Sequence, residues 1–290
     1  MRNRLIFFCS ILFVCPGFAL AQGLNTGAID QALGHSGQKT GDVYRVGLPR
    51  TDLHVELAGV ALKPGLALGS WAAFSGTDAD CTVMGDLVLT QSEIGPVMGK
   101  LRTAEFQITA VHNHLLNETP HVMYMHYMGH GNAQKLAQSL HDALAESKTP
   151  LTSGPPAQET PAAPFVKTIE GVLGSQGRWA GGVLAYGIPR KEPITENGMT
   201  LNGAQGVAES INFQDAGRGN VATTGDFVLT AQEVNPVISA LEEHQIQVTA
   251  LHNHMLTEEP RLFFMHFWGV GTPESLSAGI KAALSKIAVK

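Results

Sequence analysis

The chain has 290 residues, 19 of them basic and 25 acidic, for a net charge of -6 with the charges scattered along its length. That is room for two ordinary domains, each with its own core, and it offers no basic stripe to track a nucleic-acid backbone. Cys9 and Cys15 fall in an N-terminal leader, so Cys81 stands alone in the mature chain and an intrachain disulfide is excluded.

The leader, "MRNRLIFFCSILFVCPGFALAQG", has a basic start, an apolar run from Leu5 to Val14 and a small-x-small cleavage signal at Ala19-Leu20-Ala21. It reads as a secretory signal over residues 1–21. The apolar run is too short to span a bilayer and no later segment is apolar enough, so the expectation is an exported, periplasmic protein without a membrane span. A rival reading attaches lipid at Cys15, but bulky Val14 stands where such sites want a small residue.

Beyond the leader the sequence predicts a short helix from Gly27 to Leu33. Strands follow near Val43 to Val46, Leu53 to Val60, Leu66 to Phe74 and Thr82 to Leu89. Thr90 and Glu93 then have the Thr-x-x-Glu form of a capping box at a helix start, and Pro96 predicts a kink or a restart in that helix. A histidine-bearing hairpin comes next. The last helix of the unit carries Leu136, Leu140 and Leu144 at four-residue spacing, a stripe suited to covering a sheet.

Everything from the first helix onward occurs twice at one offset: 252 − 112, 254 − 114, 266 − 126 and 226 − 86 all equal 140. "MGDLVLTQSEIGPV" from Met84 returns as "TGDFVLTAQEVNPV" from Thr224, with a second Thr-x-x-Glu at Thr230, and "GLPR" at Gly47 returns as "GIPR" at Gly187. Each unit is about 120 residues, the size of a domain and not of a solenoid repeat. The expected organisation is repeat 1 at 25–146, a Pro-rich linker at 147–164 and repeat 2 at 165–290. Hairpin strands with helices on one side make the class α+β, two tandem homologous domains, each an antiparallel sheet with helices packed on it.

The functional reading starts from "ITAVHNHLLNETPHVMYMHYMG" and its echo "VTALHNHMLTEEPRLFFMHFWG". Alternation in "QVTALHNHM" is that of a strand, so His252 and His254 project to one face. A turn near Thr119 or Glu259, where Pro120 and Pro260 stop the ladder, predicts His126 opposite His112 and His266 opposite His252. Three imidazoles on one patch of sheet suit zinc, copper, iron or nickel and leave a fourth position open. The expectation is therefore one site made by His112, His114 and His126 and another made by His252, His254 and His266. Glu118 and Glu258 are candidates for a fourth ligand or a general base, against a plain turn carboxylate facing water. Asp86 and Asp226 could orient a ring N–H from behind, or simply begin a strand. His35, His54, His121, His130, His141 and His244 have no histidine partner in the other unit and receive no role.

Other readings of these residues fit less well. The letters HNH are not the nuclease motif of that name, which is spread over a strand and helix. His112, His114 and Glu118 mimic the first half of a cupin motif, but cupins bring a later histidine from a distant strand, whereas His126 follows almost at once. Ser70 returns as Ser210 with no G-x-S-x-G elbow around it, so nucleophilic serine chemistry has no support.

Through "GDLVLT" and "GDFVLT", "VHNHL" and "LHNHM", and "MYMH" and "FFMH", the sequence resembles the bacterial LppY/LpqO-type proteins, which carry a repeated domain of unknown function. The resemblance covers both units and implies an exported protein, in some members lipid-anchored, but implies no activity. Three functions stay open. One is a periplasmic metal-binding protein for copper or zinc. Another is a metal-dependent hydrolase or lyase using metal-bound water with Glu118 or Glu258 as base. The third is a module that binds a small molecule or a partner without metal. Retention of both histidine sets favours binding.

Overall fold

A computed structural model of the chain describes residues 23–154 and 160–290. The expected signal at 1–21 and the alternative lipid site at Cys15 lie outside the described residues. Repeat 1 runs α1 (Thr26–Leu33), β1 (Gln38–Thr40), β2 (Val43–Pro49), β3 (Glu56–Leu57), β4 (Val60–Ala61), α2 (Pro64–Ala67), β5 (Gly69–Gly76), β6 (Cys81–Thr90), α3 (Ile94–Thr103), β7 (Gln107–His112), β8 (Val122–Gly131) and α4 (Ala133–Leu144). Repeat 2 runs α5 (Pro164–Leu173), β9 (Arg178–Ala180), β10 (Val183–Pro189), β11 (Ile194–Glu196), β12 (Met199–Leu201), a 3-10 turn (Gly203–Gln205), β13 (Ala208–Gly217), β14 (Asn220–Leu229), α6 (Ala231–Glu243), β15 (Gln247–His252), β16 (Phe263–Gly271) and α7 (Pro273–Leu284).

Each repeat forms a six-stranded antiparallel sheet, in the order β1-β2-β5-β6-β8-β7 and its counterpart β9-β10-β13-β14-β16-β15. The α+β expectation holds, with the helices on one face of each sheet. Leu136, Leu140 and Leu144 of α4 join Leu87, Leu89, Met125 and Tyr127 in the first core; Leu276 and Ile280 of α7 join Phe227, Leu229, Met265 and Phe267 in the second.

The other face of each sheet is not solvated. Successive strand residues point to opposite faces, and along β6 every residue from Cys81 to Leu89 is buried. Leu87 and Leu89 face the helices, whereas Met84, Asp86 and Val88 face the other repeat. Val88, Leu115, Val122 and Tyr124 share a buried cluster with Val183, Ala222 and Trp268 of repeat 2. Met84 and Met128 share another with Val228, Met255, Leu262 and Phe264. The result is four layers, helix, sheet, sheet, helix, with two cores that belong to neither repeat alone. Each fully buried Leu, Val or Phe contributes about 1.5–3 kcal/mol, so parting the repeats would forfeit a large share of the stability.

Two arms brace this interface. The segment carrying β3, β4 and α2 reaches repeat 2, where Gln214 accepts from Lys63 N (2.8 Å) and donates to the Ala61 carbonyl (2.9 Å), and Asn212 donates to the Leu66 carbonyl (3.2 Å). Its counterpart, β11 through the 3-10 turn, reaches repeat 1, where Arg45 donates to the Ala204 carbonyl and lies over the Trp71 ring at 3.9 Å.

The structure departs from the sequence reading at several places outside the site: the strand expected at Leu53 to Val60 is the short pair β3 and β4, and the one expected from Leu66 starts only at Gly69, after α2. Thr90-x-x-Glu93 does not start a helix; α3 begins at Ile94, while Thr230 with Glu233 forms a full capping box and α6 runs unbroken through Pro236. Residues 147–153, expected in an extended linker, run back along repeat 1. Leu151 packs on the first core, Lys148 N donates to Glu93 Oε1 (2.8 Å) and Ser153 N to the Gly34 carbonyl (3.1 Å). Ala288 N makes the same bond to Glu233 (2.9 Å), so each repeat closes by returning its end to that glutamate.

Candidate metal centre

The histidines come together where the two sheets face each other. His126 lies on β8 and His266 on β16, the central strands beside β6 and β14, and they pair in register with Asp86 and Asp226. A register irregularity between Ile108 and Ala110, repeated between Val248 and Ala250, sets the neighbouring ladder. His126 therefore stands opposite Ala110, and His112 opposite Tyr124, two residues from the expected pairing. Because the shift is two residues, His112 and His126 still share a face. His114 and His254 lie past the ends of β7 and β15.

Each expected triple converges, and the two lie against each other and not apart, with His112 within reach of the second. His112 stacks on His252 with ring centroids 3.5 Å apart, His114 on His266 at 3.6 Å, and His126 on His254 at 3.8 Å. Tyr124 closes one stack against His114 (3.3 Å), and Phe264 closes the symmetry-related stack against His254 (3.5 Å). Six imidazoles thus form one cluster about a pseudo-two-fold axis.

The asparagines between the histidines, to which the sequence reading gave no role, knit the axis together. Asn113 donates to the carbonyls of Leu115 and Thr249, both at 3.0 Å. Asn253 mirrors it onto Met255 and Thr109, both at 2.9 Å. Thr249 Oγ1 adds a bond to the His114 carbonyl (2.6 Å). The signal was present in the sequence as an Asn kept in both copies, but one of its two partners belongs to the other repeat.

The tautomers are set by the backbone. A carbonyl oxygen can only accept, so the Nδ1 atoms of His112 on Asn113 O (3.2 Å), of His252 on Asn253 O (3.0 Å) and of His266 on Gly225 O (2.8 Å) carry the proton. These rings present a lone pair at Nε2, as a ligand must. Glycine precedes both aspartates for a steric reason. A methyl at Gly85 would run into the Trp71 carbonyl and the Tyr127 hydroxyl, and one at Gly225 into the Ser210 carbonyl.

All six Nε2 atoms are buried and have no hydrogen-bond partner among the described residues, and Asp86 Oδ1 and Asp226 Oδ1 share that condition. A buried polar group left unpaired costs about 1–3 kcal/mol. Eight such atoms would consume a sum comparable to the whole stability of a typical domain, about 5–15 kcal/mol. A gap of about 10 Å³, lined by Met84, Met128 and Met255, has room for one water and touches only His126 and His254 of the six. A water there would reach only those two rings.

Burial also holds the imidazoles neutral. It pushes His112 down to about 3, with the His252 ring adding to the effect, and His252 down to about 4. His114, His126, His254 and His266 fall well below the usual histidine range for the same reason. Desolvation raises Asp86 to about 7 against the opposing pull of Arg45, and it raises Asp226 well above the carboxylate range, with the Glu209 and Asp86 charges contributing.

The donor atoms fit a metal. One each from His112, His114 and His126 lie within 4.8 Å of one another, as do those of His112, His252, His254 and His266. Imidazole with carboxylate is a donor set for zinc, copper, iron or nickel and not for calcium or magnesium, which demand oxygen. Glu118 and Glu258 are placed elsewhere. Glu118 Oε1 accepts from Val122 N (3.1 Å) and pairs with His121 Nδ1 (2.7 Å); Glu258 Oε1 accepts from Leu262 N (3.1 Å) and pairs with Arg261 (3.3 Å). Both brace the turn between the histidine-bearing strands.

No helix among the described residues is long and apolar enough to cross a membrane. No curated protein matches the sequence at a significant level. Among solved structures the chain is similar to the trimeric bacterial microcompartment shell protein PduB, at 10% identity and a TM-score of 0.20 over 88% of this chain and 91% of that one. It is also similar to EtuB from Clostridium kluyveri, at 9% identity and a TM-score of 0.20 over 87% and 91%. A further similarity is to TP0453, at 12% identity and a TM-score of 0.19 over 90% and 98%. Scores this low carry no argument about fold or function. The profile of one family does match, over residues 27–146 and again over 167–286, and the chain belongs to that family, described as Domain of Unknown Function (DUF1259), in two tandem copies.

Proposed function

We propose that the chain is an exported, periplasmic metal-binding protein whose centre, shared by the two repeats, takes zinc or copper through His112, His114, His126, His252, His254 and His266. The observation that carries this reading is the set of six buried Nε2 atoms without partners, with backbone carbonyls occupying Nδ1 in three of the rings. A hydrogen-bonded polar cluster would show those nitrogens paired. Export rests on the leader sequence alone.

Binding is favoured over turnover by access and by the placement of Glu118 and Glu258. The histidines lie between two sheets, the adjoining gap admits a water and nothing larger, and Glu118 and Glu258 are engaged in the turns. The test is elemental analysis of untagged protein purified from its native compartment, followed by chelation. Metal present at about 1,000 times its Kd stabilises a fold by about 4 kcal/mol. Stripping it should therefore lower the melting temperature by roughly 10 °C for a chain of this size. Protein that leaves its native compartment without transition metal, and whose melting temperature ignores chelator, would end the proposal.

A further inference from the structure

We propose that the centre takes two metal ions side by side across the pseudo-two-fold axis, and that Asp86 and Asp226 are ligands to them. This rests on the metal-binding reading and adds nuclearity, two ligands and a bridge between repeats.

The first argument is the division of the donors. The two groups of converging atoms, His112 with His114 and His126, and His112 with His252, His254 and His266, overlap at one residue. A single ion served by the second group leaves His114 and His126 unpaired. Six imidazoles and two carboxylates also exceed the four ligands of a tetrahedral zinc site. With His112 stacked on His252 at 3.5 Å, the two positions are neighbours and not remote sites.

The second argument concerns where the carboxylates stand. A carboxylate that merely orients a histidine ligand lies behind the ring, at the nitrogen away from the metal. Asp86 instead faces the buried, unpartnered Nε2 side, with Oδ2 3.7 Å from His114 Nε2 and Oδ1 3.9 Å from His126 Nε2. Asp226 Oδ2 lies 3.2 Å from His254 Nε2, while its Oδ1 is 4.0 Å from His266 Nδ1, a nitrogen that Gly225 already occupies. Most of these separations are long for a hydrogen bond. They are close to the spacing of two ligands on one ion, since tetrahedral bonds of about 2.0–2.1 Å put neighbouring donors roughly 3.4 Å apart.

Charge supplies the third argument. Neutral imidazoles would leave two buried divalent ions wholly uncompensated, at a heavy desolvation cost. Asp86 and Asp226, on adjoining strands at the same register as His126 and His266, remove half that charge. Because His112 from repeat 1 falls within reach of the repeat 2 position, loading the pair also ties one sheet to the other.

Cobalt(II) added alone to the metal-stripped, full-length mature chain tests this, with cobalt counted after gel filtration and magnetic coupling between ions measured by electron paramagnetic resonance. The expected result is two cobalt ions per chain, magnetically coupled. Asp86→Asn and Asp226→Asn, which keep the side-chain shape, should each weaken one of the two equivalents by about tenfold or more. One ion per chain, or two without coupling, overturns the paired centre while leaving the metal-binding reading standing. Unchanged affinity in both Asn variants overturns the carboxylate ligands. No bound cobalt at all would remove the metal-binding reading itself. The count and the coupling in the unaltered chain decide the matter even where a variant fails to fold.

Discussion

The two repeats agree residue for residue where they meet and diverge one shell away. Six histidines, Asp86 and Asp226, Gly85 and Gly225, and Asn113 and Asn253 all have identical partners at the offset of 140. Around them the counterparts change character. Met84, Met128 and Met255 with Trp71 and Gln205 line a small gap on one flank, whereas the equivalent positions hold Thr224, Trp268, Leu115, Ile211 and Gly65. The difference separates two kinds of constraint. A flank needs only to be filled, and apolar volume can be supplied by many side chains. Donor atoms about an axis must keep both identity and direction, and an asparagine that ties a histidine loop to the other repeat must keep its amide.

The same comparison at the buried arginines predicts the largest change in stability. Arg50 is fully buried, forks onto Asp52 (2.8 Å) and Glu93 (2.9 Å), and donates to the Val88 carbonyl (2.7 Å). Arg190 repeats this with Glu192 (3.1 Å), Glu233 (2.8 Å) and the Val228 carbonyl, and it has Glu209 at 3.9 Å besides. Removing one partner of a buried ion pair costs about 3–5 kcal/mol because the other charge is left uncompensated. Both Arg50→Met and Arg190→Met should lower urea-unfolding stability by roughly that amount. The two losses should be alike, since each strands two carboxylates and Glu209, held protonated by burial up to about pH 8, is not a third charge. A clear inequality would break the comparison.

A pH effect of intermediate size belongs to repeat 2 alone. Gly69 of repeat 1 is replaced by Glu209, which burial pushes up to about 8 while it accepts from Val228 N (2.7 Å). Its folded pKa lies above the unfolded value of about 4.3. The stability it contributes is therefore complete below about pH 4.3 and is lost as pH climbs through about 8. Glu209→Gln keeps an acceptor for Val228 and removes the titration. Between pH 5 and 9 the melting temperature of the native chain should fall more than that of the variant; parallel profiles would show that Glu209 ionises freely.

Much of this architecture was legible. The offset of 140 gave the duplication, four-residue spacing gave Leu136, Leu140 and Leu144 as the covering stripe, and strand alternation put His112 and His126 on one face. The meeting of the two faces was not read, although "CTVMGDLVL" carried a sign of it. A half-exposed strand alternates with polar residues, and a near-continuous apolar run marks one covered on both sides. The irregularity after Ile108 is set by how β7 meets β8, which local pattern does not encode. Glu93 showed the form of a cap and does accept from Thr90 N (2.8 Å), yet α3 begins only at Ile94. Compositional bias marked 147–164 as linker, and Leu151 alone hinted that its first part packs on repeat 1.

The smallest expected effect distinguishes a turn brace from a ligand. Glu118 pairs with His121 where Glu258 pairs with Arg261, and both partners are substantially exposed. Water can replace each exposed partner while the buried carboxylate keeps its backbone donor, so His121→Ala and Arg261→Ala should each lower stability by about 0.5–1.5 kcal/mol and leave metal content alone. The glutamates make the sharper test, because Glu118 Oε2 is buried without a partner while Oε1 holds Val122 N. Glu118→Gln and Glu258→Gln retain an acceptor for Val122 N and Leu262 N but lose the charge that a metal ligand or a general base requires. Metal content equal to that of the native chain is expected in both, measured by elemental analysis after gel filtration. Loss of an equivalent in either variant would move that carboxylate from the turn into the centre, and it would revive the hydrolytic reading in which Glu118 or Glu258 serves as base.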